Sequence, residues 1–333
     1  MKISLLLIFT FFGLTFKAQN ENGLVNWLTL KEAQEKNKTL QKPFLIDIYT
    51  DWCGWCKHMM KTTYSNPNIA SYINQHFYPI KFNAETKDTI EYNGKKYLPT
   101  SKEPKTAHQL AIKFLGTSLS YPSTMFVTNN YEFNLLTQGF LEEKKLEPIL
   151  IYMVENVFRT TQYEDFSERF NKTFYDTVFP KKPVKTYSYK EAFELNKKKP
   201  KKMLVNIYTG FCNSCRVMNK TTFLDSGIAN YIDKNFYLVN FDAESADTIM
   251  FNNEKQFKQL INGYPLNTFA VKVTNGRLAF PSIAILDEKM TLLEVLNMYQ
   301  HPKNLKPVLV YFGDNHYKTK KWPDFIAEYI KPK

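Results

Sequence analysis

Four cysteines carry the reactive chemistry of this chain, and they come as two pairs of identical spacing, Cys53-Gly54-Trp55-Cys56 and Cys212-Asn213-Ser214-Cys215. A thiol reacts as its thiolate, and a cysteine on the first turn of a helix gains from the exposed N–H groups there. Two cysteines three positions apart on such a turn can close a small disulfide, so that one sulfur attacks a foreign disulfide and the other resolves the mixed intermediate. Other uses compete with this one. Zinc would need both pairs in one place, yet each pair sits in its own half of the chain and only five histidines accompany them. Covalent haem would need a histidine directly after the second cysteine, where Lys57 and Arg216 stand. A purely structural disulfide would close a very small loop and stabilise little. That reading stays open, more so for the second pair than for the first.

The elements that position the cysteines are duplicated. An offset of 159 residues carries Cys53 and Cys56 onto Cys212 and Cys215, Lys31-Glu32-Ala33 onto Lys190-Glu191-Ala192, and Ile48-Tyr49-Thr50 onto Ile207-Tyr208-Thr209. The same offset takes Lys61-Thr62-Thr63 to Lys220-Thr221-Thr222, Asp88-Thr89-Ile90 to Asp247-Thr248-Ile249, and Pro122-Ser123 to Pro281-Ser282. An offset held without a gap over most of the chain implies duplication of a whole domain. The limits that follow are residues 24–170 for the first domain, 171–184 for a linker containing Pro180-Lys181-Lys182-Pro183, and 185–331 for the second domain.

Within each copy a helix (Lys31 to Asn37, Lys190 to Lys197) precedes a β-branched and aromatic strand (Phe44 to Thr50, Met203 to Thr209), and the cysteine pair follows directly. Residues Cys56 to Tyr64 have helical composition, and Phe77 to Asn83 reads as a second strand. Thr124 to Thr128 with Leu135 to Gln138 reads as a hairpin, and Glu143 to Phe158 as a closing amphipathic helix. Asn93-Gly94 marks the turn of an inserted hairpin. The crossover gives a parallel pair and the hairpin adds antiparallel strands, so the expected architecture is α/β with a mixed sheet flanked by helices, made twice.

The segment Phe44-Leu45-Ile46-Asp47-Ile48-Tyr49-Thr50-Asp51-Trp52-Cys53-Gly54-Trp55-Cys56-Lys57 resembles the active-site segment of the thioredoxin family, and the repeat extends the resemblance over nearly the whole chain as two tandem thioredoxin-like folds. The resemblance implies a buried acid six positions before the first cysteine, matched by Asp47. It also implies a lysine on the neighbouring strand, matched by Lys81 in Lys81-Phe82-Asn83-Ala84-Glu85. A cis proline facing the cysteines is matched by Pro122 after Tyr121, and by Pro281 after Phe280. Such a proline leaves an extended edge for a substrate peptide. The resemblance thus makes Cys53, Cys56, Cys212, Cys215, Asp47 and Lys81 the catalytic candidates. Trp52, Trp55, Tyr121, Pro122, Phe280 and Pro281 become the substrate-binding candidates, although aromatic residues at such places are equally ordinary packing. Gly54-Trp55 stands where thioredoxin has Gly-Pro. In the second copy Asp47 becomes Asn206 and Lys81 becomes Asn240, so both charges are lost together. Domain 1 is therefore expected to be the main catalytic domain, with Cys53 an accessible, acidified sulfur.

Bulk properties limit the partners. The net charge of +12 is spread along the chain without a recognition motif, which argues against nucleic acid. Lys2 followed by the apolar run Ile3 to Phe16 and a polar turn reads as a signal peptide, residues 1–18, cut near Ala18. Fourteen helical residues rise about 21 Å, short of a bilayer core. The expectation is an exported protein, periplasmic or extracellular, soluble once the signal is removed and without stable membrane insertion. No cofactor and no metal is expected. The expected function is that of an enzyme, a thiol–disulfide oxidoreductase reducing or isomerising disulfides of exported proteins, with a transmembrane thiol relay supplying electrons. The alternatives are a disulfide oxidase, or a binding or chaperone module with inert cysteines.

Overall fold

A strand that is apolar on both faces must be covered on both sides. Phe44–Tyr49 has that character, and in the computed structural model of the chain, which describes residues 23–176, 184–261 and 263–331, it forms strand β1, buried along almost its whole length. The expected signal peptide and Pro180-Lys181-Lys182-Pro183 lie outside the described residues.

The first unit contains α1 (Leu30–Thr39), β1, α2 (Gly54–Lys61), α3 (Pro67–His76), β2 (Tyr78–Asn83), β3 (Ile90–Tyr92), β4 (Lys95–Tyr97), α4 (Gln109–Leu115), β5 (Ser123–Val127) and β6 (Asn134–Gln138). Its sheet has the order β2-β1-β5-β6, with β1 and β2 parallel and the other pairs antiparallel. This is the mixed sheet expected from the crossover and the later hairpin. Phe44, Ile46 and Ile48 on β1 pack with Ile80, Phe82, Met125 and Val127, and with Leu30, Ala33, Leu110 and Phe114 from α1 and α4. Side chains alternate along a strand, so Asp47 is turned to the opposite face. The Asn93-Gly94 turn joins β3 to β4 with φ of 49° and 71°, as a two-residue hairpin loop requires.

The chain divides between Glu143 and Lys144. The second unit carries α5 (Glu143–Val154), α6 (Tyr163–Phe174), β7 (Thr186–Tyr187), α7 (Tyr189–Lys198), β8 (Lys202–Tyr208), α8 (Asn213–Val217), α9 (Ser226–Asn235) and β9 (Phe236–Asp242). Two hairpins follow, β10 (Ile249–Phe251) with β11 (Glu254–Gln256), and β12 (Lys258–Ile261) with β13 (Tyr264–Asn267). The unit ends with α10 (Thr268–Val273), β14 (Ser282–Leu286), β15 (Leu292–Asn297), α11 (Pro302–Gly313) and α12 (Trp322–Tyr329). Its sheet order is β15-β14-β8-β9-β7.

The 159-residue offset runs through local structure as well as sequence. Thr29 and Glu32 form a capping box on α1, and Ser188 and Glu191 form the same box on α7, each satisfying amides at the start of its helix. Met203, Val205 and Ile207 on β8 fill the second core as Phe44, Ile46 and Ile48 fill the first. The repeat limit and the unit limit do not coincide, however. The segment from α5 to α6 is anchored in the second unit: the Thr160 hydroxyl donates to the Tyr299 carbonyl at 2.5 Å, Asn304 Nδ2 donates to the Thr160 carbonyl at 2.6 Å, and Phe166 meets Tyr299 edge-on. Helix α6 has no counterpart among the sequence-based expectations. Residues 171–174, expected in the linker, are its last turn, held there because Phe166, Phe170 and Thr173 are buried along one face.

Candidate functional site

Each cysteine pair lies where a strand hands over to a helix. Cys53 is the N-cap of α2, and its sulfur accepts the Cys56 amide at 3.0 Å; Cys212 caps α8 in the same way, accepting from the Cys215 amide at 3.1 Å. An N-cap sulfur that already receives an amide N–H is the one a helix start stabilises as thiolate. Both pairs are disulfides, with Cα atoms 5.3 Å apart in each.

The expectation of an accessible Cys53 needs correction. Cys53 is only 4% exposed, although its chain neighbours are open to solvent: Trp52 is 56% and Trp55 is 62% exposed. Trp52 donates through Nε1 to Glu85 Oε1 at 2.9 Å and meets Tyr121 edge-on at 6.0 Å between ring centres. Trp55 leans on Phe140 at 5.7 Å and on His58 at 5.6 Å. The sulfur therefore sits just beneath an aromatic rim.

The peptide bonds Tyr121–Pro122 and Phe280–Pro281 are both cis, and both prolines are buried at the start of β5 and β14. In each unit the residue before the cis proline touches the residue before the first cysteine, Tyr121 with Trp52 and Phe280 with Phe211, the latter at 6.3 Å. The candidates Trp52, Tyr121 and Pro122 are thereby brought to Cys53, and Phe280 and Pro281 to Cys212.

Asp47 and Lys81 are cross-strand partners in the register of β1 with β2. Asp47 is 1% exposed, and its Oδ2 has no hydrogen-bond partner among the described residues. Burial pushes its carboxyl up to about 7, and the Lys81 charge works against that rise. Among the described residues no ion pair joins the two; Lys81 Nζ lies over the Tyr49 ring at 5.0 Å. Lys81, Tyr49, Asp51 and Cys56 line an open cleft of about 430 Å³. In the second unit the same register pairs Asn206 with Asn240, and Asn206 Nδ2 donates to Asn240 Oδ1 at 3.0 Å and to Asn219 Oδ1 at 2.8 Å. A buried carboxyl is replaced there by neutral amides.

A family described as "Thioredox_DsbH: Protein of unknown function, DUF255" matches residues 14–172 and again residues 169–297. The chain belongs to this family. Among curated relatives, the thiol:disulfide interchange protein DsbD of Escherichia coli strain K12 is 39% identical over 62 residues, which is 17% of this chain and 11% of that protein. The same protein of Shigella flexneri serotype 5b matches to the same extent. The chain thus spans about a tenth of the length of these relatives. Among solved structures, one titled "DsbH Oxidoreductase" is 17% identical, covering 44% of this chain and 94% of that one with a TM-score of 0.29. A putative disulphide-isomerase from Bacteroides thetaiotaomicron is 18% identical, covering 44% and 100%, with a TM-score of 0.31. The fold of this family member is two tandem thioredoxin-like α/β domains.

Several site residues of this DsbH-type chain escaped the sequence. Tyr64 is fully buried, and burial with the Asp47 charge pushes its hydroxyl well above the ordinary phenol range. Its partner at the 159 offset is Phe223, so the polar surroundings of Asp47 are lost as a group in the second unit. Phe140 and Glu85 shape the rim, and Glu155, 57 residues before Cys212, reaches the second pair. Repetition could have drawn attention to Tyr64, and Glu85 closes the Lys81 to Glu85 segment; no spacing signal marks Phe140 or Glu155.

Proposed function

We propose that the chain is a thiol–disulfide oxidoreductase that reduces or isomerises disulfides of exported proteins, with the first unit as its main catalytic domain. The observation that carries this reading is the Cys53 sulfur at the N-cap of α2, accepting the Cys56 amide beneath a rim joined to the cis proline. In the reduced enzyme the Cys53 thiolate attacks one sulfur of a substrate disulfide. That bond breaks, a mixed disulfide forms, and the first substrate sulfur leaves as thiolate. Asp47, with a carboxyl that titrates near neutrality, takes the proton of Cys56 through the cleft that Cys56 and Lys81 line. Cys56 then attacks the Cys53 sulfur, the second substrate thiolate leaves, and two electrons have passed from the cysteine pair to the substrate. A membrane-borne thiol relay would restore the dithiol outside the cytosol; the short curated matches are themselves named thiol:disulfide interchange proteins. Among the described residues no helix is long and apolar enough to cross a membrane.

The test is substrate trapping with the full chain. Cys56→Ser is expected to accumulate mixed disulfides with exported proteins, released by dithiothreitol, while the wild type reduces insulin and Cys53→Ser does not. A trap that stays empty together with no insulin reduction would leave the chain a binding module. A Cys53–Cys56 potential far above the glutathione range would instead make it a disulfide donor.

A further inference from the structure

The turn after α5 places Glu155 against the second cysteine pair. Glu155 Oε1 accepts the Asn213 amide at 3.0 Å, Oε2 accepts the Ser214 amide at 2.7 Å, and Oε2 lies 3.8 Å from Cys212 Sγ. These are the amides that open α8, the groups a helix start offers to a thiolate at its N-cap. Among the described residues no side chain meets the matching Gly54 and Trp55 amides of the first unit. The contact is built into the fold: Glu155 hangs from α5 by its own amide on the Ile151 carbonyl at 2.9 Å, and α6, which follows, packs against α8. The 159 offset takes Glu155 to Asp314, which accepts from the Tyr231 hydroxyl at 2.9 Å and serves no cysteine.

We propose that Glu155 is a positioning residue that holds the second pair in its disulfide form, by occupying the α8 amides and setting a negative group beside Cys212. This rests on the redox reading above and adds a regulator of the second site to it. Reduction breaks the Cys212–Cys215 bond and takes two electrons from a dithiol, which becomes a disulfide. The Cys212 sulfur then faces Glu155 Oε2; as a thiolate it would stand beside a second negative group, and because the two repel it keeps its proton and ionises only at higher pH. Burial is the chief influence on the Glu155 carboxyl and raises it above the ordinary range, while the hydrogen bonds from Ser214 and Asn213 work against that rise. The disulfide pays none of this repulsion, and the second pair is therefore harder to reduce and slower to attack than the first.

The experiment uses the full chain equilibrated in glutathione buffers, with each cysteine peptide quantified by mass spectrometry after alkylation, and the alkylation rate of reduced Cys212 followed against pH. In the wild type, Cys53–Cys56 is expected to be reduced before Cys212–Cys215. Glu155→Gln is expected to lower the alkylation midpoint of Cys212 by about one pH unit. At pH above that midpoint it should also raise the reduction equilibrium constant of that pair about tenfold, or about 30 mV, with Cys53 unchanged. Glu155→Asp, which keeps the charge, should stay near the wild type. If both pairs exchange but Glu155→Gln leaves the Cys212 midpoint and equilibrium where they were, the role of Glu155 falls and the redox reading stands. Reduction of Cys212–Cys215 before Cys53–Cys56 in the wild type would also overturn it, without any substitution. If neither pair exchanges in any of the proteins, both readings fall.

Discussion

Asp47→Asn should make the first unit more stable at neutral and alkaline pH, and the gain should vanish in acid. The buried carboxyl titrates at about 7 in the folded chain, against 3.8 when it is solvated. Below the lower value both states carry the proton, and Asp47 costs the fold little. Between the two values the folded chain still binds a proton that the unfolded chain has released, so stability falls as pH rises and the loss is complete above the folded pKa. A gap of about three units, at roughly 1.4 kcal/mol each, is about 4 kcal/mol. Asparagine has the shape of the protonated acid and does not titrate, so this slope should be missing from the variant. Guanidinium unfolding of the oxidised full chain at pH 4, 5, 6, 7 and 8 measures it. Trp27, Trp52 and Trp55 lie in the first unit and only Trp322 in the second, so tryptophan emission reports chiefly on the first. The variant and the wild type should coincide at pH 4 and separate by about 4 kcal/mol at pH 8. Parallel profiles over this range would refute the reasoning, since a carboxyl that costs nothing to ionise is not held near neutrality by burial. The same substitution should slow turnover about a hundredfold, because proton removal from Cys56 loses its acceptor.

Two further outcomes follow from the rim and from the amide pair. Trp52→Ala with Trp55→Ala should uncover Cys53, so that iodoacetamide alkylates the reduced sulfur several-fold faster; reduction of a protein disulfide should slow about tenfold, the worth of one lost aromatic contact. Equal effects on the small reagent and the protein substrate would mean that the rim is only packing. Asn206→Ala removes the hydrogen bonds to Asn219 and Asn240, both of which reach solvent, and should cost the second unit about 1 kcal/mol, read as a lower unfolding midpoint. A midpoint that does not move would mean that solvent replaces the lost amide.

The duplication, the strand–cysteine–helix order and the mixed sheet were legible because they are short-range patterns written twice. The β-branched and aromatic composition of β1 and β8 and the Asn93-Gly94 turn each lie within a few residues of chain. Asp47 and Lys81 were picked out by the resemblance to the thioredoxin family, and the register of β1 with β2 sets them side by side. Burial and long-range contact are different in kind. Cys53 is buried, and the Trp52 and Trp55 rings beside it take their positions from Glu85, Tyr121 and Phe140 in distant strands and loops. Helix α6 and the place of Glu155 were decided only by packing, because a carboxylate 58 and 59 residues from Asn213 and Ser214 reaches them solely through the way α5 and α6 are anchored on the second unit. Sequence therefore determined which chemistry the sulfurs can do, through local spacing and periodicity. The electrostatics that separate one cysteine pair from the other arise from groups far apart along the chain, and only the folded structure brings those groups within a few ångströms.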